Sequence, residues 1–203
     1  MKSSIASTIG SARTLLCVVA TVVLLQGCVA AVGAGAGAAA YTAYNRRSPG
    51  AVIDDQIIEV TAYNTLASDT ELYEQSHVQV TSYNNVVLLT GEAPTETLRL
   101  RAESLVSGVD KVRRVFNELS VAAPSSYVTR SGDTWITAKV KTNLFGQMSL
   151  EASQVKVTTT NGIVYLMGLV TPAEAEQATE VARRVSGVQR VVKLFEYVDP
   201  AKT

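Results

Sequence analysis

Residues 161–168, NGIVYLMG, decide the fold of this chain because they join a tight turn to a strand. Asn-Gly at 161–162 is the strongest short signal for the two-residue turn of a β-hairpin. Residues 84–91, NNVVLLTG, repeat the same order without the glycine of the turn. The segment therefore predicts a hairpin, and its second occurrence predicts that the hairpin belongs to a duplicated unit.

The duplication extends to both sides of the hairpin. Three pairs of segments match at spacings of 77 to 79 residues: 54–66 with 132–144, 77–91 with 154–168, and 107–119 with 186–198. The last pair aligns Gly108 with Gly187 and Phe116 with Phe195. Two domains of about 70 residues follow, at 51–122 and 131–199.

Each copy is predicted to contain a helix, two strands, a second helix and a third strand. The first helices begin at N-cap aspartates, Asp55 and Asp133. Their apolar faces are formed by Ile58, Ala62 and Leu66, and by Ile136, Val140 and Leu144. The second helix of copy two opens at Thr171 with a capping box and closes at Gly187. We predict an α+β fold of two tandem domains, each α-β-β-α-β, with a three-stranded sheet covered on one face by two helices.

The hairpins also carry apolar residues that point away from the helices. These residues are Val86, Leu88, Ile163, Tyr165 and Met167. We expect these outer sheet faces to pack in a contact between the domains; the alternative is a surface for a partner protein.

The N-terminal residues resemble a bacterial lipoprotein signal. Residues 15–25 form an apolar run of eleven, the length of a signal-peptide core and too short to span a bilayer. The sequence Leu-Gln-Gly-Cys at 25–28 resembles a lipobox, which predicts a signal peptide at 1–27 and a covalent lipid on Cys28. The alternative is an ordinary secretory signal, cleaved near Ala30 or later.

Residues 28–50 are predicted to be the lipidated cysteine and an Ala/Gly-rich tether. Fully extended, the 22 residues after Cys28 reach at most about 70–80 Å. Val29 occupies the position where aspartate retains lipoproteins in the inner membrane, and the resemblance therefore favours the outer membrane.

The order of motifs, present twice, resembles the BON domain. Residues 162–168 followed by Ser-Gly-Val at 186–188 carry the resemblance, and residues 85–91 followed by Ser-Gly-Val at 107–109 repeat it. The first copy departs by lacking the turn glycine and by a second helix two residues shorter. With the lipobox and tether, the chain resembles the family of outer-membrane lipoproteins with two BON domains, which is linked to phospholipid binding, division and envelope stress. The resemblance implies a lipid-anchored, periplasm-facing protein without catalytic residues.

The two copies differ in charge. Residues 52–121 hold eleven acidic and five basic side chains, a net charge of −6, whereas residues 131–198 hold six acidic and seven basic, a net charge of +1. Anionic lipid repels the first and attracts the second, with each nearby basic residue worth about 1 kcal/mol. The second domain is therefore predicted to face the membrane.

The first helix of the second domain is the predicted contact. Trp135 and Lys139 lie one helical turn apart, and a tryptophan beside lysines is typical of an interfacial anchor. The predicted lipid-binding residues are Trp135, Ile136, Lys139, Lys141, Leu144 and Phe145. The alternative is that Trp135 packs on the other domain and the lysines form a solvated face.

Few residues in the sequence suit catalysis or metal binding. The two cysteines, Cys17 and Cys28, lie near the N-terminus, and His77 is the single histidine. We therefore expect no enzyme, metal site, cofactor other than the lipid on Cys28, small-molecule substrate or nucleic-acid partner. The expected function is binding of anionic phospholipid in support of outer-membrane integrity; the alternative is a scaffold for envelope assembly or division proteins.

Overall fold

The structure is a computed structural model that describes residues 45–199, apart from the side chains of residues 149 and 150. The predicted signal peptide, Cys28 and most of the predicted tether lie outside the described residues. The chain from Asn45 onward forms one compact unit. Between residues 45 and 199, no helix combines the length and the hydropathy required to span a bilayer.

Two three-stranded sheets, each with its own helices, form this unit. The first domain contains α1 (Pro49–Ser68), α2 (Thr70–Gln75), β1 (His77–Tyr83), β2 (Val86–Ala93), α3 (Glu96–Ser107) and β3 (Arg114–Val121). The second contains α4 (Tyr127–Met148), a 3-10 helix (Ser149–Gln154), β4 (Val155–Thr160), β5 (Ile163–Val170), α5 (Pro172–Arg183) and β6 (Arg190–Tyr197). In each sheet the second strand is central, antiparallel to the first and parallel to the third. The predicted α+β fold is confirmed, with one short helical element added before each hairpin.

Each domain has a core between its sheet and its helices. In the first, Ile58, Ala62 and Leu66 of α1 pack with Val87 and Leu89 of β2. The second core is built in the same way from Val140 and Leu144 of α4 and Val164 and Leu166 of β5, with Ile136 partly buried at its edge. The predicted apolar faces of the two first helices are confirmed.

The outer faces of the two sheets pack against each other. Leu88, Tyr165 and Met167, each at most 3% exposed, belong to one cluster with Tyr83 and Val86. The predicted contact between the domains is confirmed. The alternative, a free sheet surface for a partner protein, is wrong for these faces because they cover each other.

Both first helices begin six residues before the aspartates that were predicted to cap them. The hydroxyl of Ser48 accepts a hydrogen bond from the Ala51 amide at 3.1 Å, and that of Ser126 accepts one from the Thr129 amide at 3.2 Å. Asp55 and Asp133 lie buried inside α1 and α4. The prediction that aspartates cap these helices is therefore wrong.

The two aspartates instead cap the hairpin turns. Asp55 accepts hydrogen bonds from the amides of Asn84 and Asn85, and Asp133 accepts them from the amides of Asn161 and Gly162, each at 2.8 Å. All four turn residues have positive φ angles, between 50° and 72°. The carboxylates therefore stabilise a left-handed backbone, which asparagine tolerates better than most residues other than glycine but still at a steric cost.

The third match of the repeat is wrong by three residues. Leu88 pairs with Phe116 and Tyr165 pairs with Val192, so Phe116 corresponds to Val192 and not to Phe195. The left-handed residue after the second helix is Lys111 in the first domain (φ 67°) and Gly187 in the second (φ 99°), whereas Gly108 has φ −82°.

The second helices of the two domains are equal in length. Both α3 and α5 contain 12 residues, so the shorter second helix inferred for the first copy is wrong. The capping box predicted at Thr171 is present, with Glu174 as its partner. The helix ends at Arg183, before the predicted closing residue Gly187, which lies in the turn that follows.

The last residues assigned to the tether contact both domains. Pro49 and Gly50 form the first turn of α1. The guanidinium of Arg46 makes two hydrogen bonds, of 2.6 and 2.9 Å, to Glu174 at the start of α5. That of Arg47 binds the buried Asp55 of α1 at 2.8 Å. The part of the chain that the structure describes therefore begins with a short strap, residues 45–48, that joins the two domains.

The Arg46–Glu174 pair is expected to make stability depend on pH. The hydrogen bond from Arg46 is the main cause that lowers the pKa of Glu174. Folding then favours the ionised carboxylate, so this stabilisation is present above the ordinary pKa of glutamate, about 4.3, and is lost as pH falls through the lower folded-state pKa. We expect Glu174→Gln to lower the free energy of unfolding at pH 7 and to weaken its decline in acid. Denaturant titrations at several pH values measure both; an unchanged acid decline would contradict this assignment.

Candidate membrane-contact site

Helix α4 is held by its buried side, which leaves the opposite side facing solvent. Val140, Leu144 and Met148 are at most 4% exposed and pack in the core of the second domain. The hydrogen bonds that Asp133 accepts from the amides of the hairpin turn fix the rotation of the helix about its axis. The side chains that leave this buried stripe are the ones available to a partner.

Trp135 lies on the solvent-facing side of α4. Its side chain is 65% exposed. The ammonium of Lys139, one turn further along, lies 5.6 Å from the centre of its ring and donates a hydrogen bond to the carbonyl of Ser186 at 3.4 Å. The alternative that Trp135 packs on the other domain is therefore wrong. The structure shows an exposed indole with a cation held beside it.

Lys141 and Phe145 lie further round the helix, since positions 139 and 141 are about 200° apart at 3.6 residues per turn. Both are exposed, Phe145 by 57%, and they are again one turn apart. Trp135 and Phe145 are separated by ten residues, which corresponds to about 15 Å along an α-helix. The helix thus presents two exposed aromatic side chains, each with a lysine one turn away.

Ile136 and Leu144 do not share this surface. Leu144 is 1% exposed in the domain core, and Ile136 packs at the edge of that core beside Gly187. Leu144 therefore cannot contact a membrane while the domain is folded, whereas Ile136 is partly buried and directed towards the core. The remaining candidates are Trp135, Lys139, Lys141 and Phe145, which we name the α4 surface.

The first turns of α4 were not predicted from the sequence. Tyr127 and Val128 are 84% and 82% exposed, and the guanidinium of Arg130 lies 4.3 Å from the centre of the Tyr127 ring. These residues were placed between the domains because the helix was expected to start at Asp133. Ser126, three residues before Thr129, is the capping signal that would have revealed them.

The charges of α4 favour an anionic partner. The helix contains three basic residues, Arg130, Lys139 and Lys141, and one acidic residue, Asp133. Asp133 is 7% exposed and its carboxylate faces the hairpin turn. The basic side chains therefore determine the charge that this helix presents to its surroundings.

The single histidine lies away from the α4 surface, on β1. Burial is the main cause that lowers the pKa of His77, and the charge of Arg130 adds to it. Among residues 45–199, no group of three or more His, Cys, Asp or Glu side chains is arranged to hold a metal ion.

Comparison with known proteins identifies relatives along most of the chain. The model of the BON domain matches residues 54–123 and 132–199. Outer membrane lipoprotein DolP of Haemophilus influenzae is 37% identical over 192 residues, which cover 95% of this chain and 100% of that protein. The 21 kDa hemolysin of Actinobacillus pleuropneumoniae is 38% identical over 152 residues (75% and 78%). Osmotically-inducible protein Y of Escherichia coli is 30% identical over 145 residues (70% and 72%).

Proposed function

We propose a function for this chain from the premise that it belongs to the BON-domain family and is an outer-membrane lipoprotein with two BON domains. A lipid on Cys28 anchors the protein, which faces the periplasm. The second domain contacts anionic phospholipid through the α4 surface and thereby supports outer-membrane integrity. This function is one of binding and requires no catalytic residue, metal or cofactor besides the anchor. The observation that carries the proposal is the exposed Trp135 beside Lys139.

The chemistry of the α4 surface suits a headgroup layer. An indole is amphipathic and lies at the boundary between headgroups and acyl chains, while ammonium groups pair with phosphates. Lys139 and Lys141 each contribute about 1 kcal/mol of attraction at a typical anionic leaflet. The net charge of the first domain, −6 against +1 in the second, supports an orientation with the second domain towards the lipid.

Lys139→Glu is expected to weaken binding to phosphatidylglycerol vesicles about 30-fold, because reversing one charge changes the attraction by about 2 kcal/mol. Trp135→Ala is expected to weaken it as well, through loss of the interfacial indole. Co-sedimentation of residues 45–203 with vesicles at low and high salt measures both. Lys193→Glu is the matched control, since this lysine is half-exposed on β6 of the same domain and lies off α4.

Trp135 is the only tryptophan of the chain, so its fluorescence reports directly on the α4 surface. We expect its emission to shift to the blue on anionic vesicles and the shift to be reversed by salt. Binding that both α4 variants retain in full would eliminate this surface as the contact. The scaffold alternative is not proposed, because the outer sheet faces on which it depended cover each other.

A further inference from the structure

Helix α1 of the first domain carries an apolar stripe on its solvent side. Ile53, Ile57 and Val60 are 61%, 54% and 61% exposed. Their spacing of four and three residues places them on one face of the helix, opposite the buried Ile58 and Ala62. We name these three residues the α1 stripe.

The charges on α1 are neutralised by ion pairs. The helix contains three charged residues, all acidic. The pairs are Asp54 with Lys111 at 2.7 Å, Asp55 with Arg47 at 2.8 Å, and Glu59 with Lys156 at 2.7 Å. Although the first domain has a net charge of −6, the α1 stripe can therefore leave water without removing an unpaired charge from solvent.

The position of α1 in the chain points to what covers the stripe. Asn45, where the described residues begin, is 17 residues after Cys28, and a chain of that length spans at most about 60 Å. The stripe starts only eight residues further on, at Ile53. The anchor of the proposed function, on which this step rests, therefore confines the stripe to the neighbourhood of the bilayer.

We infer that the α1 stripe is a second membrane contact, used when the first domain faces the bilayer, and that it inserts its three aliphatic side chains at the boundary between headgroups and acyl chains. Tyr63, 53% exposed one turn beyond Val60, adds an aromatic side chain of the type enriched at that boundary. The contact is apolar, so it requires neither anionic lipid nor low salt. It differs in this respect from the α4 surface, which acts through lysines.

The experiment uses a fluorophore at single cysteines in the full lipoprotein. The chain contains no cysteine after Cys28, whose thiol the lipid blocks, so Ile57→Cys and Val60→Cys each create one labelling site. Wild type measures background labelling. Leu100→Cys is the matched control, because Leu100 is an aliphatic residue of the same domain, 50% exposed on α3.

In vesicles of zwitterionic phospholipid, we expect labels at 57 and 60 to shift to the blue and to be quenched by nitroxide lipids, and the shift to persist at high salt. The label at 100 should do neither. Labels at 57 and 60 that behave like the label at 100 would overturn the inference. So would a blue shift that appears without lipid and grows with protein concentration, because a second copy would then cover the stripe.

Trp135 separates this inference from the proposed function. A blue shift of Trp135 emission on anionic vesicles, without a shift of the labels at 57 and 60, would refute the α1 contact and support the α4 contact. A shift of both labels without a shift of Trp135 emission would refute the α4 contact and support the α1 contact.

Discussion

Asp55→Ala is expected to lower the free energy of unfolding by about 3–5 kcal/mol, because the carboxylate of Asp55 is buried and accepts hydrogen bonds from several groups. The substitution removes the acceptor for two backbone amides in the turn at Asn84 and Asn85. It also removes the acceptor for the hydroxyl of Ser82 and leaves the guanidinium of Arg47, 10% exposed, without its carboxylate. The two amides and the hydroxyl then lose this acceptor in the folded state, and Arg47 keeps its hydrogen bond to Asn45 but loses its counter-charge.

Asp133→Ala is expected to have a smaller effect, about 2–3 kcal/mol, because Asp133 caps its turn through two backbone amides and Gly162 tolerates a positive φ. Denaturant unfolding at pH 7 measures both variants. Asp54→Ala is the control, because Asp54 is the next residue along α1 and its carboxylate pairs with the half-exposed Lys111. An exposed pair contributes at most about 1 kcal/mol. If Asp55→Ala costs no more than Asp54→Ala, the carboxylate does not hold the turn.

The hydrogen-bond partners of these aspartates could not be predicted from the sequence. The repeat correctly paired Asp55 with Asp133, and the period of the apolar residues correctly identified the buried faces of α1 and α4. An aspartate before an apolar period is typical of an N-cap, but the same pattern arises when the carboxylate reaches a distant turn. The partners lie about 30 residues away in sequence, and only the packed helix brings them together.

The predicted alignment of the two third strands, β3 and β6, was wrong for a different reason. The identical triplet Ser-Gly-Val at 107–109 and 186–188 fixed the alignment, although it starts at the last residue of α3 in the first copy and three residues after the end of α5 in the second. The amides of Arg113 and Gln189 donate to the carbonyls of Asn85 and Gly162, which sets the true spacing at 76 residues. Local identity was thus a weaker guide than the ladder of backbone hydrogen bonds.

The candidate surfaces were only partly predictable. Trp135 was identified because a tryptophan beside lysines is typical of an interfacial anchor. The α1 stripe could not be predicted because α1 carries apolar residues on two sides, and the one that contains Ile58 suffices to explain a core-facing helix. The second set at Ile53, Ile57 and Val60 was present in the sequence, but only the packed structure shows which of the two faces solvent.

Leu88→Asp is expected to separate the two domains while each remains folded. Leu88 is fully buried in the cluster that the two outer sheet faces form with Tyr165 and Met167. A carboxylate there has no cation in that cluster, and burying it costs several kcal/mol, about 3–5 in real proteins. Opening the contact lets the carboxylate reach water. The core of the first domain uses Val87 and Leu89 on the other face of β2, and it does not have to open.

NMR relaxation distinguishes these outcomes, because separated domains tumble faster than one rigid body. We expect Leu88→Asp to shorten the rotational correlation time and to split thermal unfolding into two transitions. Met167→Asp, on the facing sheet, should do the same, and Leu100→Asp, on an exposed position of α3, should do neither. Unchanged tumbling with a single transition would mean that the sheets are held together by the strap at Arg46 and the Glu59–Lys156 pair rather than by the apolar cluster.

The same variant tests whether the two membrane contacts act together. Separation leaves the α1 stripe and the α4 surface intact on their own domains, so each contact should still respond to vesicles on its own. In the joined molecule the two surfaces face opposite ways, because the sheets pack back to back and each surface lies on the side of its helix that is away from its sheet. One bilayer can then engage only one of them at a time, and avidity requires that both engage together. We therefore expect Leu88→Asp, which frees the domains to reorient, to strengthen vesicle binding of residues 45–203, although it alters neither surface. Equal binding by Leu88→Asp and wild type would mean that a single domain accounts for the whole affinity.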